Sequence, residues 1–393
     1  MGLIGTMSLG IKAPIIRKGD NLINIVCDSV ISACNENGLK LEDRDVVAVT
    51  EAIVAKTQGN FATLENIADD VHEKFGDETV GLVFPILSRN RFQLLLKGIA
   101  KGVKKLIIQL SMPSDEVGNH LVPYEKFLNS KVNPYSILTE KEFYDIFKES
   151  VHEFTGVDYI QLYKESAQEF CDCEIIFSSD PTAILKYTKY VINGDIHTRD
   201  ITKNVLLSNG ANKVCSLTDI LTTSINGSGC NPEFGLLGTN ISTEDTVKLF
   251  PVNTQKFVED LSAEFKDRTG KNIECMVYGD GAFKDPVGKI WELADPVVSP
   301  GFTDGLLGRP NEIKLKYVVD NHLQNLDKES ATTELKKLIS EKTEDNKNSR
   351  LSLGTTPRQL TDLLGSLADL TSGSGDKGTP IVLIKNYFKN YAD

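Results

Sequence analysis

Three short segments carry residue types suited to holding charge. In Gly279-Asp280-Gly281-Ala282-Phe283-Lys284-Asp285-Pro286, an aspartate flanked by glycines follows the strand-like run 272–278. A carboxylate at the carboxyl end of a strand suits a hard cation, and magnesium accepts one or two carboxylates beside phosphate oxygens. Asp285 and Asp304 are near enough in sequence to join Asp280; an ordinary Asp-Gly turn is the plainer alternative. Gly373-Ser374-Gly375-Asp376-Lys377-Gly378 spells G-x-G-x-x-G, yet a helical pattern precedes it and a strand follows, the reverse of the dinucleotide-binding context. No G-K-[ST] closes it as a phosphate loop. Its N–H groups can still cradle an anion, or it is a simple helix-to-strand turn. Lys56 stands one turn's length beyond the strand 45–50, where it either reaches a phosphate or is solvated.

The other polar residues narrow the chemistry. None of His72, His120, His152, His197 and His322 has metal-motif spacing. His197-Thr198-Arg199-Asp200 is a polar cluster able to bind an anionic substrate. No G-x-S-x-G and no Cys–His arrangement points to a covalent hydrolase. The seven cysteines are scattered, and read as free thiols of a reducing cytosol.

Positioning these groups falls to alternating helices and strands. Helices are expected over 20–37, 61–75, 88–102, 140–154, 181–192, 253–268, 327–348 and 359–370. Strands are expected over 45–50, 80–87, 104–111, 174–177, 204–208, 246–250, 272–278 and 381–385. Residues 209–238, rich in Gly, Ser and Asn, read as a long loop, and 327–348 as a charged, solvated helix. The alternation argues for an α/β fold, with mixed α+β as its variant. The 393 residues, 40% apolar and 25% charged, suffice for two or more domains. A net charge of -12 argues against general nucleic-acid binding. No apolar run reaches membrane-spanning length and 1–10 is no secretory signal, so a cytoplasmic location is expected.

Together these segments resemble the coenzyme F420-0:L-glutamate ligases, or γ-glutamyl ligases. Gly10-Ile11-Lys12-Ala13-Pro14-Ile15, followed by Lys18-Gly19-Asp20-Asn21-Leu22, is similar to the family's G-I-P-E-I and P-G-D-D-L. Residues 45–59, DVVAVTEAIVAKTQG, resemble D-V-L-V-V-T-x-K-I-V-S-K-x-E-G, with Lys56 on the second lysine. Thr269-Gly270 and Gly279-Asp280 fall on a T-G, a strand and then S-D-[TS]. Residues 302–309 read D-x-x-x-G-R against D-x-x-G-R, and 370–384 resemble a closing helix, G-x-x-x-x-G-x-P and buried strand.

The resemblance implies a γ-glutamyl-ligase-like core that forms a homodimer and binds GTP (or ATP) with Mg2+ or Mn2+. It places Gly10, Ile11, Lys12, Ala13, Lys56, Asn240, Ser372, Gly373, Ser374, Gly375, Asp376, Lys377, Gly378 and Thr379 at the nucleotide. It places Asp280 at a metal and makes Lys56 and Asp280 the catalytic pair; either Asp285 rebuilds the rest of the metal site or one ion is absent. A small carboxylate acceptor would attack the γ-phosphate, and the amine of L-glutamate would then attack the acyl phosphate.

This chain departs from the pattern in several places. Leu237-Gly238-Thr239-Asn240 stands for the metal-binding D-x-S-N, Gly281-Ala282-Phe283 follows Asp280 where the family has T-x-G-R, and Ala52 replaces the first lysine of the second motif. Ser374 replaces a metal-facing Gln or Glu. The expected division is a ligase-like core over 1–112, 235–316 and 351–393, a large inserted segment over 113–234 and a charged helical insert over 317–350. These departures point to a changed acceptor, a folate or another carboxylate. The alternative is a nucleotide-binding regulatory protein with altered catalysis, and a third reading is a phosphotransferase that ignores glutamate.

Overall fold

A computed structural model describes residues 4–89, 91–152, 155–279, 298–343, 349–352, 358–372 and 376–392. In chain order the first part runs β1 (Met7–Ile11), α1 (Leu22–Glu36), β2 (Val46–Thr50), α2 (Glu51–Gln58), β3 (Phe61–Thr63), α3 (Leu64–Phe75), β4 (Thr79–Val83), α4 (Gln93–Lys101) and β5 (Lys105–Leu110). The middle adds α5 (Tyr124–Ser130), β6 (Leu138–Thr139), α6 (Glu140–Phe147), α7 (Tyr159–Gln168), β7 (Asp172–Phe177), β8 (Tyr190–Asn193), α8 (Arg199–Ser208) and β9 (Lys213–Ser216). The last part holds β10 (Asn240–Ile241), β11 (Thr246–Lys248), α9 (Thr254–Thr269), β12 (Glu274–Gly279), β13 (Val298–Phe302), α10 (Leu315–Val318), α11 (Lys328–Ser340), α12 (Leu360–Ser372) and β14 (Ile381–Lys385).

Local chemistry sets several boundaries. The Asn21 side chain accepts the Asn24 N–H at 3.1 Å and opens α1. Gly59, at φ 67°, closes α2 in the left-handed conformation. Thr63 and Asn66 satisfy one another's backbone N–H groups at the start of α3.

The strands form three sheets. The central sheet has the order β1-β14-β2-β12-β13. Within it β2 and β12 are parallel, and the other neighbours are antiparallel. One face carries Val47, Val49, Cys275, Val277 and Leu383 against Val26, Val30, Val258, Leu261 and Phe265 of α1 and α9. The other carries Ala48, Met276, Tyr278 and Val382 against Leu360, Leu364 and Ala368 of α12. Alternation along β2 and β12 thus divides their side chains between two cores.

The second sheet has the order β6-β7-β5-β4-β8-β9, parallel except for β6. Its strands double back from β7 to β8 across β4, the arrangement of an open doubly wound sheet. A third sheet, β10-β11-β3, is small and antiparallel. The α/β expectation therefore holds, with an antiparallel component in the central and third sheets.

Some boundaries differ from those read in the sequence. The division at residue 112 falls inside the second sheet, where β4 and β5 pair with each other and with β8 and β7. Those strands are apolar on both faces; α3 and α4 help to cover one face, and residues 113–234 supply the flanking strands and the rest of the cover. Residues 204–208 belong to α8 and are not a strand: Thr202 and Leu206, one helical turn apart, are its buried pair. Residues 181–192 form a short turn at Pro181–Lys186 followed by β8, which is held between β4 and β9. The loop region 209–238 contains β9. Along α11, Leu335 and Ile339 pack with Val318 and Leu323, so this helix has a buried stripe.

Candidate active site

The register of the central sheet brings distant segments to one end of it. Ile11 pairs with Ile381, Ile381 with Val49, and Thr50 with Tyr278. Because β14 runs opposite to β1 and β2, its amino end meets their carboxyl ends. Two backbone bonds join the chains beyond the strands: Ala13 N–H donates to the Gly378 carbonyl at 3.1 Å, and Thr50 N–H to that of Pro380 at 3.0 Å. Gly10 to Ala13, Gly378 to Pro380 and the β2–α2 junction therefore adjoin.

The end of α12 is drawn over this turn, since the Thr379 hydroxyl donates to the Ser372 carbonyl at 2.6 Å. Gly10 leaves room for Thr379, because a Cβ at residue 10 would lie 3.1 Å from the Thr379 Cβ. Nearby, Tyr278 is 1% exposed, and among the described residues its hydroxyl makes no hydrogen bond of ordinary geometry. Burial pushes that hydroxyl up to about 12, with the Ser372 side chain opposing. Lys12, Asp376 and Lys377 are exposed around the turn, and Lys56 is exposed in the last turn of α2. A cleft of about 490 Å³ follows β1 on the α1 side, touching these segments through Gly10, Ile11 and Lys12.

Two residues that pattern reading did not single out stand at the same end. Glu51, the first residue of α2, ion-pairs with Lys248 of β11, and the two are 2% and 7% exposed. The Glu51 side chain crosses the end of β12, with its Cγ 2.3 Å from where a Cβ on Gly279 would be. Asn240 pairs with Lys248 across β10 and β11, so their side chains share a face. The sole sequence signal for Glu51 is its place directly after a strand end. Lys248, in a three-residue strand, gives none.

Asp280, Asp285, Gly373, Ser374 and Gly375 fall outside the described residues. Gly279 and Val298, which flank 280–297, pair with each other at the end just described. Asp304 does not join them. Thr303 N–H donates to the Cys275 carbonyl at 2.9 Å, and a Cβ on Gly305 would meet Glu274. Asp304 is thus near the start of β12, about 16 Å along the strand from Gly279. The His197 cluster is also committed, in the second sheet. The Glu116 carboxylate accepts the N–H groups of Ile196 and His197 at 2.5 and 2.9 Å, and an Arg199 guanidinium N–H donates to the Ile196 carbonyl at 2.5 Å. Burial, followed by the Asp195 carboxyl, pushes Glu116 up to about 8.

The family model described as F420-0:Gamma-glutamyl ligase matches residues 10–386. The chain belongs to that family. It is similar to the coenzyme F420:L-glutamate ligase of Methanothermobacter thermautotrophicus, 33% identical over 81 residues that cover 19% of this chain and 31% of the relative. It is similar also to that of Methanosarcina acetivorans, 39% identical over 56 residues covering 14% of this chain and 18% of the relative. The chain thus matches about a third or less of the length of these curated relatives.

Two features of this γ-glutamyl ligase family member bear on a metal ion. Leu237, where the resemblance implied a carboxylate, packs against the apolar core of the second sheet. Among the described residues no group of three His, Cys, Asp or Glu side chains could hold a metal ion. The described residues therefore do not by themselves fit a metal centre. No helix among them is long and apolar enough to cross a membrane.

Proposed function

We propose that the chain is a γ-glutamyl ligase that activates a small carboxylate with GTP or ATP and joins it to L-glutamate. The observation that carries this reading is the meeting of Gly10 to Ala13, Gly378 to Pro380 and the β2–α2 junction at one end of one sheet, within a chain of this family. Backbone N–H groups of the turn and the ammonium groups of Lys12, Lys56 and Lys377 are suited to spread the charge of a triphosphate.

In the reaction, an acceptor carboxylate oxygen bonds to the γ-phosphorus as the bridging P–O bond breaks and the nucleoside diphosphate leaves. The glutamate nitrogen then bonds to the acyl carbon as the acyl C–O bond breaks, releasing inorganic phosphate and a proton. Mg2+ or Mn2+, which Asp280 and Asp285 would hold, would supply further positive charge to the phosphates. A cytoplasmic homodimer completes the proposal.

The acceptor is a coenzyme F420 precursor, as the names of the relatives suggest, or another carboxylate such as a folate. The test is phosphate release from GTP or ATP by the purified full chain with Mg2+ or Mn2+. Release that requires both L-glutamate and an acceptor, with a product one glutamyl residue heavier, supports the ligase. A second reading, a nucleotide-binding regulatory protein, is favoured by the packing of Leu237 into a core. It predicts thermal stabilisation by nucleotide without turnover for any acceptor. Phosphate release that ignores glutamate refutes both.

A further inference from the structure

Among the described residues, two buried lysine–carboxylate pairs stand at opposite ends of the central sheet, and they are built differently. Lys385 bonds Asp45 and also donates to the Lys40 carbonyl at 2.7 Å. Asp45 in turn accepts the Glu42 N–H at 2.8 Å. That pair ties the amino end of β2 to the carboxyl end of β14, away from the candidate site, and its polar groups are largely used. Lys248 is at the site end. Its ammonium has three donors, and Glu51 is its one acceptor among the described residues. A buried ammonium with unused N–H groups is costly unless an anion or water completes it.

The position of Lys248 follows from backbone bonds and one side-chain ion pair. The Pro380 carbonyl holds Thr50, Glu51 follows Thr50, Glu51 holds Lys248, and Asn240 pairs with Lys248. The turn expected at the nucleotide is thereby connected, link by link, to Asn240 on the far side of the β2 and β12 ends. We propose that Lys248 is a ligand-binding cation of this site, held in place by Glu51 and donating to a phosphate oxygen of the nucleotide. The inference rests on the nucleotide-dependent reading above, and it adds a fixed positive charge to that site.

Glu51 is a positioning residue: it supplies the compensating charge that keeps Lys248 buried and ammonium-forward. A pair with a purely structural role would act on every ligand alike. A phosphate-binding cation acts only on ligands that bear phosphate.

The test compares the wild-type full chain with the double variant Glu51→Met/Lys248→Met by calorimetric titration of GTP, ATP and the corresponding nucleosides. Replacing both members of a buried pair with apolar side chains of similar size is commonly close to neutral for folding. The expected result is a melting temperature near that of wild type with triphosphate binding weakened about 10- to 100-fold, the loss of one charge-assisted bond, and nucleoside binding unchanged. Lys248→Gln provides a second variant should the double variant not fold, and it is expected to show the same selective loss. If wild type binds triphosphate and the folded variants bind it equally well, or lose triphosphate and nucleoside alike, the assignment of Lys248 is overturned while the nucleotide reading stands. If wild type binds neither triphosphate, the nucleotide reading falls and the assignment falls with it.

Discussion

Replacing Gly279 with alanine tests the packing on which the candidate site depends. Gly279 has no left-handed backbone to maintain, so what it provides is space. A Cβ there would lie 2.3 Å from the Glu51 Cγ, about 1.3 Å closer than a comfortable carbon–carbon contact. The backbone of β12 is fixed by β2 on one side and β13 on the other, so the Glu51 side chain must yield. Its carboxylate is held by Lys248, and moving it by that distance stretches a buried ion pair. Overpacking alone costs about 1–3 kcal/mol, and full loss of such a pair about 3–5 kcal/mol. Gly279→Ala is therefore expected to destabilise the protein by about 2–4 kcal/mol.

Urea denaturation of the wild type, Gly279→Ala, Glu51→Ala and the double variant measures this as a cycle. Glu51→Ala removes the Cγ, so on that background the added methyl should cost under about 1 kcal/mol, leaving a coupling of at least about 1 kcal/mol. An equal penalty for Gly279→Ala on both backgrounds would show that the clash is not with Glu51, and the account of the strand end would be wrong.

Three further outcomes are expected. Lys385→Met, at the other end of the sheet, should lower stability by about 3–5 kcal/mol because Asp45 is left buried and uncompensated, while nucleotide affinity measured by calorimetry stays unchanged. Lys56→Ala, on an exposed side chain, should leave stability within about 0.5 kcal/mol and weaken triphosphate binding at least about fivefold. Glu116, ordinarily near 4.5, is raised to about 8, so the folded state holds its proton more tightly than the unfolded state. Its stabilising contribution is complete below pH 4.5 and is lost as pH rises towards 8. Glu116→Gln should flatten that decline in melting temperature between those pH values, by an amount much reduced by solvent because the residue is exposed.

The parts of the fold legible in the sequence are those with strong local signals. The run VVAVT reads as a buried strand and is β2, and IVLIK is β14. The helix over 253–268 is closed by Gly270, which adopts φ 72° as a helix-terminating glycine should. Failures came where tertiary pairing outweighed local pattern. The segment 190–193 extends a plausible helix in sequence, yet Val191 and Ile192 are taken up between β4 and β9. The apolar run at 204–208 is too short to distinguish period two from period 3.6, and its companion Thr202 decides for a helix. The second sheet was invisible as a unit because parallel strands pair across long connections, so no local feature marks β4 and β5 as belonging with β7 and β8.

The candidate site divides along the same line. Gly10, Lys12 and the 376–379 turn were readable because each lies in a short motif, and the register of β1, β14 and β2 then brings them together. Glu51 and Lys248 are 197 residues apart, and neither belongs to a recognisable spacing. Their pairing exists because α2 begins where β2 ends, β3 follows α2, and β11 pairs with β3. That chain of neighbours returns Lys248 to the point where Glu51 leaves the sheet. A buried charge pair so placed contributes little net stability over an apolar pair of the same volume. Its location at the ends of β2 and β12, rather than its energy, is the physical reason to expect it to meet an anion.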